Sequence, residues 1–205
     1  MFSGAQMSLY PMTDDFVPVI LGALSALDPY RDRFRIETDD LSTLLVGPPG
    51  ELFPAMRDLF VAAAGTGRHT VLSATVSRGC PGEPDADICT PAEGFTVLGS
   101  LEERVAQSLA AVGAARETGR RVAAQFSYYP LGAGRHMDEI YACIDFLKAS
   151  GVFGRSKNFC TRLDGDAGPV FETLAQAFLR FAPAEAHLAL DLTVSANSPS
   201  AAARP

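Results

Sequence analysis

Histidine and cysteine are scarce in this chain, at three and four residues. No two of Cys80, Cys89, Cys143 and Cys160 are spaced C-x-x-C, and the histidines complete no zinc pattern, so neither a metal centre nor a cofactor is called for. Cys143 and Cys160 fall in segments that read as core, where a free thiol behaves as a small apolar side chain. Cys80 and Cys89 would bridge a loop if oxidised, which a cytosolic chain disfavours. No apolar run approaches the ~18 residues that span a bilayer. Met1-Phe2-Ser3-Gly4 lacks the basic-then-apolar pattern of a signal peptide, so the expected location is cytoplasmic. Basic residues are outnumbered 17 to 24, for a net charge of −7. A phosphate backbone needs Lys/Arg patches, so nucleic acid is excluded as a partner, and a neutral or cationic small ligand suits the surface better. G-x-S-x-G, a glycine-rich phosphate loop and H-E-x-x-H are all missing, which argues against an enzyme. What remains is an ordinary globular composition, 47 % apolar and 20 % charged.

The chain contains itself twice. Ala5-Gln6-Met7-Ser8-Leu9-Tyr10-Pro11 matches Ala124-Gln125-Phe126-Ser127-Tyr128-Tyr129-Pro130 at five of seven positions. A second match runs without a gap from 41–82 onto 159–200, with 13 of 42 positions identical. It includes Thr43/Thr161, Gly50/Gly168, Phe53/Phe171, Phe60/Phe178 and His69/His187. The chain therefore divides into a unit at 5–82, a connector at 83–123 and a second unit at 124–200.

Each unit reads as strand, helix, strand, strand, helix, strand. The first strand alternates and ends at Pro11. Val17, Ile20, Leu21 and Leu24 then mark one helical face, repeated by Ile140, Cys143, Ile144 and Leu147. Pro29 stops the first of these helices and Gly151 the second. Short strands flank Asp39-Asp40, a second helix follows Gly47-Pro48-Pro49-Gly50, and alternating strands at 69–77 and 187–195 close the units. This order predicts an α+β protein: a tandem repeat of two ferredoxin-like βαββαβ units with antiparallel sheets, two helices covering one face of each. The connector carries a helix from Leu101 to about Glu117, opened by a Ser100/Glu103 capping box and expected to pack across the two units.

The helix-free face of each sheet carries Gln, Ser, Tyr, Ser and Thr in both copies, a set suited to stacking on another sheet, within the chain or in a dimer. His69 and His187 would cap a helix–strand junction, and Asp164-Gly165-Asp166 reads as a solvated turn. Thr43 and Thr161 are more informative. Alternation turns both inward, among apolar groups and beside Leu9 and Tyr128 of the adjacent strand. A hydroxyl so placed needs a partner. Either a nearby carbonyl supplies it, or each threonine edges a pocket between sheet and helices where a flat polar heterocycle fits.

Ser8 to Phe16, Gly79-Cys80-Pro81-Gly82 and Ser195 to Ser200 closely resemble the YkoF family of thiamin/hydroxymethylpyrimidine-binding proteins. The likeness spans both units and is weakest in the connector. It implies a homodimer, one pocket per unit for the pyrimidine of thiamin, and service to uptake or salvage of thiamin precursors alongside a membrane transporter component, without catalysis. By position it implies Leu9 and Thr43 as contacts in the first pocket, Tyr128 and Thr161 in the second, with Asp39 favouring an amine or the cationic thiazolium. Leu9 against Tyr128, Ser42 against Cys160, and a longer loop at Gly132-Ala133-Gly134-Arg135 make the pockets unequal, so different affinities are expected. A metabolite-sensing regulatory or scaffold module acting on a partner protein is the competing reading. A salvage enzyme would have to draw on His69, His187, Cys160 or Asp39.

Overall fold

Alternating side chains build the first strand, β1 (Ser3–Pro11), whose Ala5 and Met7 turn into the core while Gln6 faces solvent. A computed structural model describes residues 3–79, 99–131, 137–182 and 187–201 of the chain. The first unit continues through α1 (Phe16–Leu24), β2 (Arg35–Thr38), β3 (Thr43–Val46), α2 (Pro49–Ala64) and β4 (Thr70–Arg78). After α3 (Leu101–Gly113) the pattern repeats as β5 (Arg121–Leu131), α4 (Met137–Ala149), β6 (Phe153–Ser156), β7 (Thr161–Asp166), α5 (Ala167–Arg180) and β8 (His187–Ala196). Each unit is ferredoxin-like, with its first and third strands as central neighbours. β5 begins at Arg121, inside the stretch read from the sequence as connector.

The two four-stranded sheets do not stack within the chain, as one form of the sequence reading had it. They join edge to edge into one eight-stranded sheet, β2-β3-β1-β4-β8-β5-β7-β6. An unpaired last strand would leave a row of backbone donors and acceptors open, and pairing β4 antiparallel with β8 closes both edges at once. The register is that of an internal twofold. Ala74 sits opposite Leu192, its own counterpart in the repeat; Thr70 opposes Ala196, and Arg78 opposes Leu188. The helices obey the same symmetry. Phe53 meets Phe178 at 5.5 Å and Phe60 meets Phe171 at 5.9 Å, so each aromatic repeat pair crosses over to its partner's position. The duplicated unit thus packs on itself as a homodimer would, with a shared contact surface. One hydrophobic core runs beneath the whole sheet.

Local signals explain most helix ends. Ser100 accepts from the Glu103 amide and Glu103 reaches back to the Ser100 amide, the reciprocal cap expected for α3. Gly151, at φ 80°, takes the left-handed turn that ends α4. α1 is shorter than Pro29 alone would make it. The chain tightens into a 3-10 segment over Ser25–Tyr30, whose Leu27 is fully buried.

Three expectations need correction. α3 packs mainly on α4 and α5, both of the second unit, and does not straddle the two. Its anchor is Arg104, whose guanidinium forms a two-pronged pair with Glu139 of α4 (2.8 and 2.9 Å) and also donates to the Arg180 carbonyl at 2.9 Å. Asp164-Gly165-Asp166 is no solvated turn but the end of β7. Asp164 pairs with Arg162, and Asp166 caps α5, accepting from the amides of Gly168, Thr118 and Arg120. Burial pushes the Asp166 carboxyl up, but the bonds from Thr118 and Gly168 outweigh it and hold the group below its usual range. Cys160 is not core. Thr161 takes the inward face, so Cys160 lies half-buried on the other side, its thiol 3.8 Å from the Gln125 amide oxygen, whereas Cys143 is buried as expected. Cys80, Cys89 and the Gly132–Arg135 loop lie outside the described residues.

Candidate functional site

The pleat decides which side chains a ligand beneath the sheet would meet. Thr43 is paired with Met7 and Thr161 with Phe126, so each threonine shares the helix-covered face with the first strand of its unit. Two residues further along that strand stand Leu9 and Tyr128. Between this corner of the sheet, the first helix and the tip of the hairpin lies a cavity of about 410 Å³ in the first unit. A second of about 410 Å³ occupies the same place in the other unit. Leu9, Thr43 and Asp39 line the first, and Tyr128 and Thr161 the second. Every residue singled out from the sequence as a ligand contact therefore lies at one of two equivalent cavities. Their size falls within the ~300–1,000 Å³ of small-molecule sites.

The walls are apolar. Met7, Ile20, Leu24 and Leu59 enclose the first cavity. Phe126, Ile144, Leu147 and Cys143 do so in the second. Polar groups are few and held in place. Thr43, 7 % exposed, shares a hydrogen bond with Thr38 across the hairpin, Oγ1 to Oγ1 at 3.0 Å. The inward hydroxyl thus has a partner, but a side chain of the adjacent strand rather than a carbonyl. Tyr128 offers more. Its hydroxyl is buried and has no hydrogen-bond partner among the described residues. Burial, then proximity to Cys143, raises its pKa, so it is a neutral donor.

Each hairpin is fastened from the helix-free side by the same bond. Ser8 Oγ donates to the Leu41 carbonyl at 2.9 Å and Ser127 Oγ to the Phe159 carbonyl at 2.8 Å. The side chains of Leu41 and Phe159 are left projecting at the cavity mouths, 77 % and 88 % exposed. Apolar groups this bare at two equivalent positions are unusual beside a cavity; alternation puts them on the side of Thr43 and Thr161, but they project at the mouths instead of entering the core. Asp39 sits on the first rim. Its Oδ1 accepts from the amides of Leu41 and Ser42 at 2.9 and 2.8 Å, which lowers its pKa and shapes the turn.

The histidines are elsewhere. His69 Nε2 meets Ser195 Oγ at 3.1 Å, across the seam between the units, and His187 lies against Gly79. Neither lines either of the paired cavities. A wider groove of about 760 Å³ lies on the helix-free face among Arg121, Gln125, Arg162 and Thr193, without the apolar walls of the paired cavities. Among the described residues, no cluster of three or more His, Cys, Asp or Glu suits a metal ion, and no helix is long and apolar enough to cross a membrane.

Fold and cavities together define a class: a ferredoxin-like tandem repeat with an internal twofold and a cavity of equal size in each half. Comparison of sequences makes this more particular. The family model described as "YKOF-related Family" matches residues 2–83 and 121–201, one match on each repeat. The chain is also 34 % identical over 198 residues to a Bacillus subtilis (strain 168) protein named "Putative HMP/thiamine-binding protein YkoF", across 97 % of this chain and 92 % of the relative. The chain belongs to the YKOF-related family.

Proposed function

We propose that this chain binds thiamin or its hydroxymethylpyrimidine moiety, one molecule in each repeat, without catalysing its turnover. The observation that carries this reading is the pairing of the two cavities. Duplication has kept an apolar slot of the same size, with an inward threonine, at the same corner of both units. The relative's name supplies the ligand class. An aminopyrimidine is flat, with an amine donor and ring-nitrogen acceptors on its edge. Thr43 can turn its hydroxyl from Thr38 to such an edge. Apolar walls hold the ring faces and exclude water. Among the described residues, no nucleophile–base pair faces either cavity, which favours binding over chemistry.

The role we assign is precursor uptake or salvage in the cytoplasm, in the company of a membrane transporter component. A homodimer is part of this reading. The helix-free face is broad and mixed, with the half-exposed Tyr10 and Tyr129 among serines and threonines, and it suits a second sheet. Calorimetric titration of thiamin and of hydroxymethylpyrimidine into wild type, Thr43→Val and Thr161→Val tests the assignment. Two molecules bound per chain are expected, and each substitution weakens its own site by about 1 kcal/mol while sparing the other. Absence of binding, or unchanged affinity in both variants, refutes it.

A further inference from the structure

The two cavities match in shape and position but not in charge. On the first rim the hairpin presents Asp39 and Asp40; at the same two positions the second presents Lys157 and Asn158. Among the described residues, no Lys or Arg lines the first cavity and no carboxylate lines the second. All these rim groups are exposed, so they leave the apolar interior unaffected and act on whatever part of a ligand protrudes.

We infer that the two cavities sort ligands by charge, the first taking a heterocycle with a cationic tail and the second one that carries a phosphate ester. This rests on the ligand class proposed above and specifies it site by site. The net charge of −7 argues against phosphorylated ligands only as an average over the surface. Screening confines exposed charges to about 8–10 Å in physiological salt, so the local rim decides. Lys157 lines the second mouth, and its ammonium rests 2.7 Å from the amide oxygen of Gln125 on the helix-free side, an exposed contact that it gives up to swing toward a phosphate oxygen. The Asp39 carboxylate is fixed by two backbone amides and keeps its charge at the first mouth. Exposed charge pairs are each worth a factor of roughly 1.5 to 5, so several acting together give about a tenfold preference at low salt.

Isoleucine methyls read the cavities separately, because Ile20 lines the first and Ile140 and Ile144 line the second. The experiment titrates thiamin, thiamin diphosphate and neutral hydroxymethylpyrimidine into the methyl-labelled full chain. It is repeated with Asp40→Lys, which leaves the Asp39 turn intact, with Lys157→Glu, and at 1 M salt. Thiamin is expected to shift Ile20 at about tenfold lower concentration than thiamin diphosphate does, with the reverse order at Ile144. Asp40→Lys should move the first cavity several-fold toward the diphosphate, Lys157→Glu should move the second toward thiamin, and high salt should narrow both gaps. The neutral pyrimidine should bind all forms alike. The same ligand order at both sets of methyls, or an order indifferent to the substitutions, overturns the charge sorting and leaves the ligand class standing. If none of the three compounds moves any methyl, the ligand class falls, and the sorting with it.

Discussion

Replacing Glu139 by Gln asks how the second cavity is held in shape. Glu139 stands in the first turn of α4, the helix that walls that cavity with Cys143, Ile144 and Leu147. Its carboxylate pairs with Arg104 of α3 through two bonds, and the side chains are 13 % and 9 % exposed. Removing one partner of a buried pair typically costs about 3–5 kcal/mol, because the other charge stays buried without compensation. Arg104 keeps its bond to the Arg180 carbonyl, which puts the expected loss near the lower end, about 3 kcal/mol. In a chain of this size that corresponds to a fall in Tm of roughly 6–12 °C. Urea unfolding followed by circular dichroism measures it. The double variant Arg104→Met with Glu139→Leu removes both charges and should recover most of the loss, because apolar replacement of a buried pair is often neutral or better. Ligand affinity should fall at the second cavity and hold at the first, whose wall helix α1 has no such tie to α3. A single variant that loses under about 1 kcal/mol would show that the pair is not effectively buried. A double variant no more stable than Glu139→Gln would show that the loss comes from something other than the stranded charge.

Gly50 and Gly168 are the same residue of the repeat, yet alanine should act on them with opposite signs. A Cβ on Gly168 would collide with the Arg116 carbonyl oxygen, so Gly168→Ala should destabilise by roughly 1–3 kcal/mol. A Cβ on Gly50 meets nothing within 4 Å, so Gly50→Ala should stabilise α2 by up to about 1 kcal/mol; thermal melts distinguish the two. Asp166 sets part of the acid limit. Its folded pKa lies below the unfolded value of 3.8, so its contribution is complete above that pH and disappears as pH falls through the folded value. Asp166→Asn should therefore be less stable than wild type at neutral pH, with the difference shrinking below about pH 4 in a pH series of urea midpoints. A constant difference across that series would remove the carboxylate from the account.

The elements of each unit were legible because they depend on neighbours in sequence. Alternation at Leu72, Ala74 and Val76, helical spacing at Ile140, Cys143, Ile144 and Leu147, and the Ser100/Glu103 cap all act within a turn or a strand. The inward turn of Thr43 and Thr161 followed from the same alternation. Cys160 was misread because a free cysteine is so often a buried apolar residue; the alternation that turns Thr161 inward already puts Cys160 on the other face. The span of α3 was misread because an amphipathic stripe says that a helix packs, not upon what.

Duplication was written in the chain itself: matched glycines, phenylalanines and threonines at a constant offset require two units of one fold, whatever their arrangement. How those units meet was not, because either the open faces or the open edges could satisfy the same polar residues. Only the folded chain, by pairing β4 with β8 about Ala74 and Leu192, decided for the edges, where nine residues of each strand find backbone partners that a stacked face would not supply. The tertiary structure likewise brought Arg104 to Glu139 and set Asp40 and Lys157 at the mouths of two like-sized cavities. Contacts between residues distant in sequence depend on packing, and no local pattern records them.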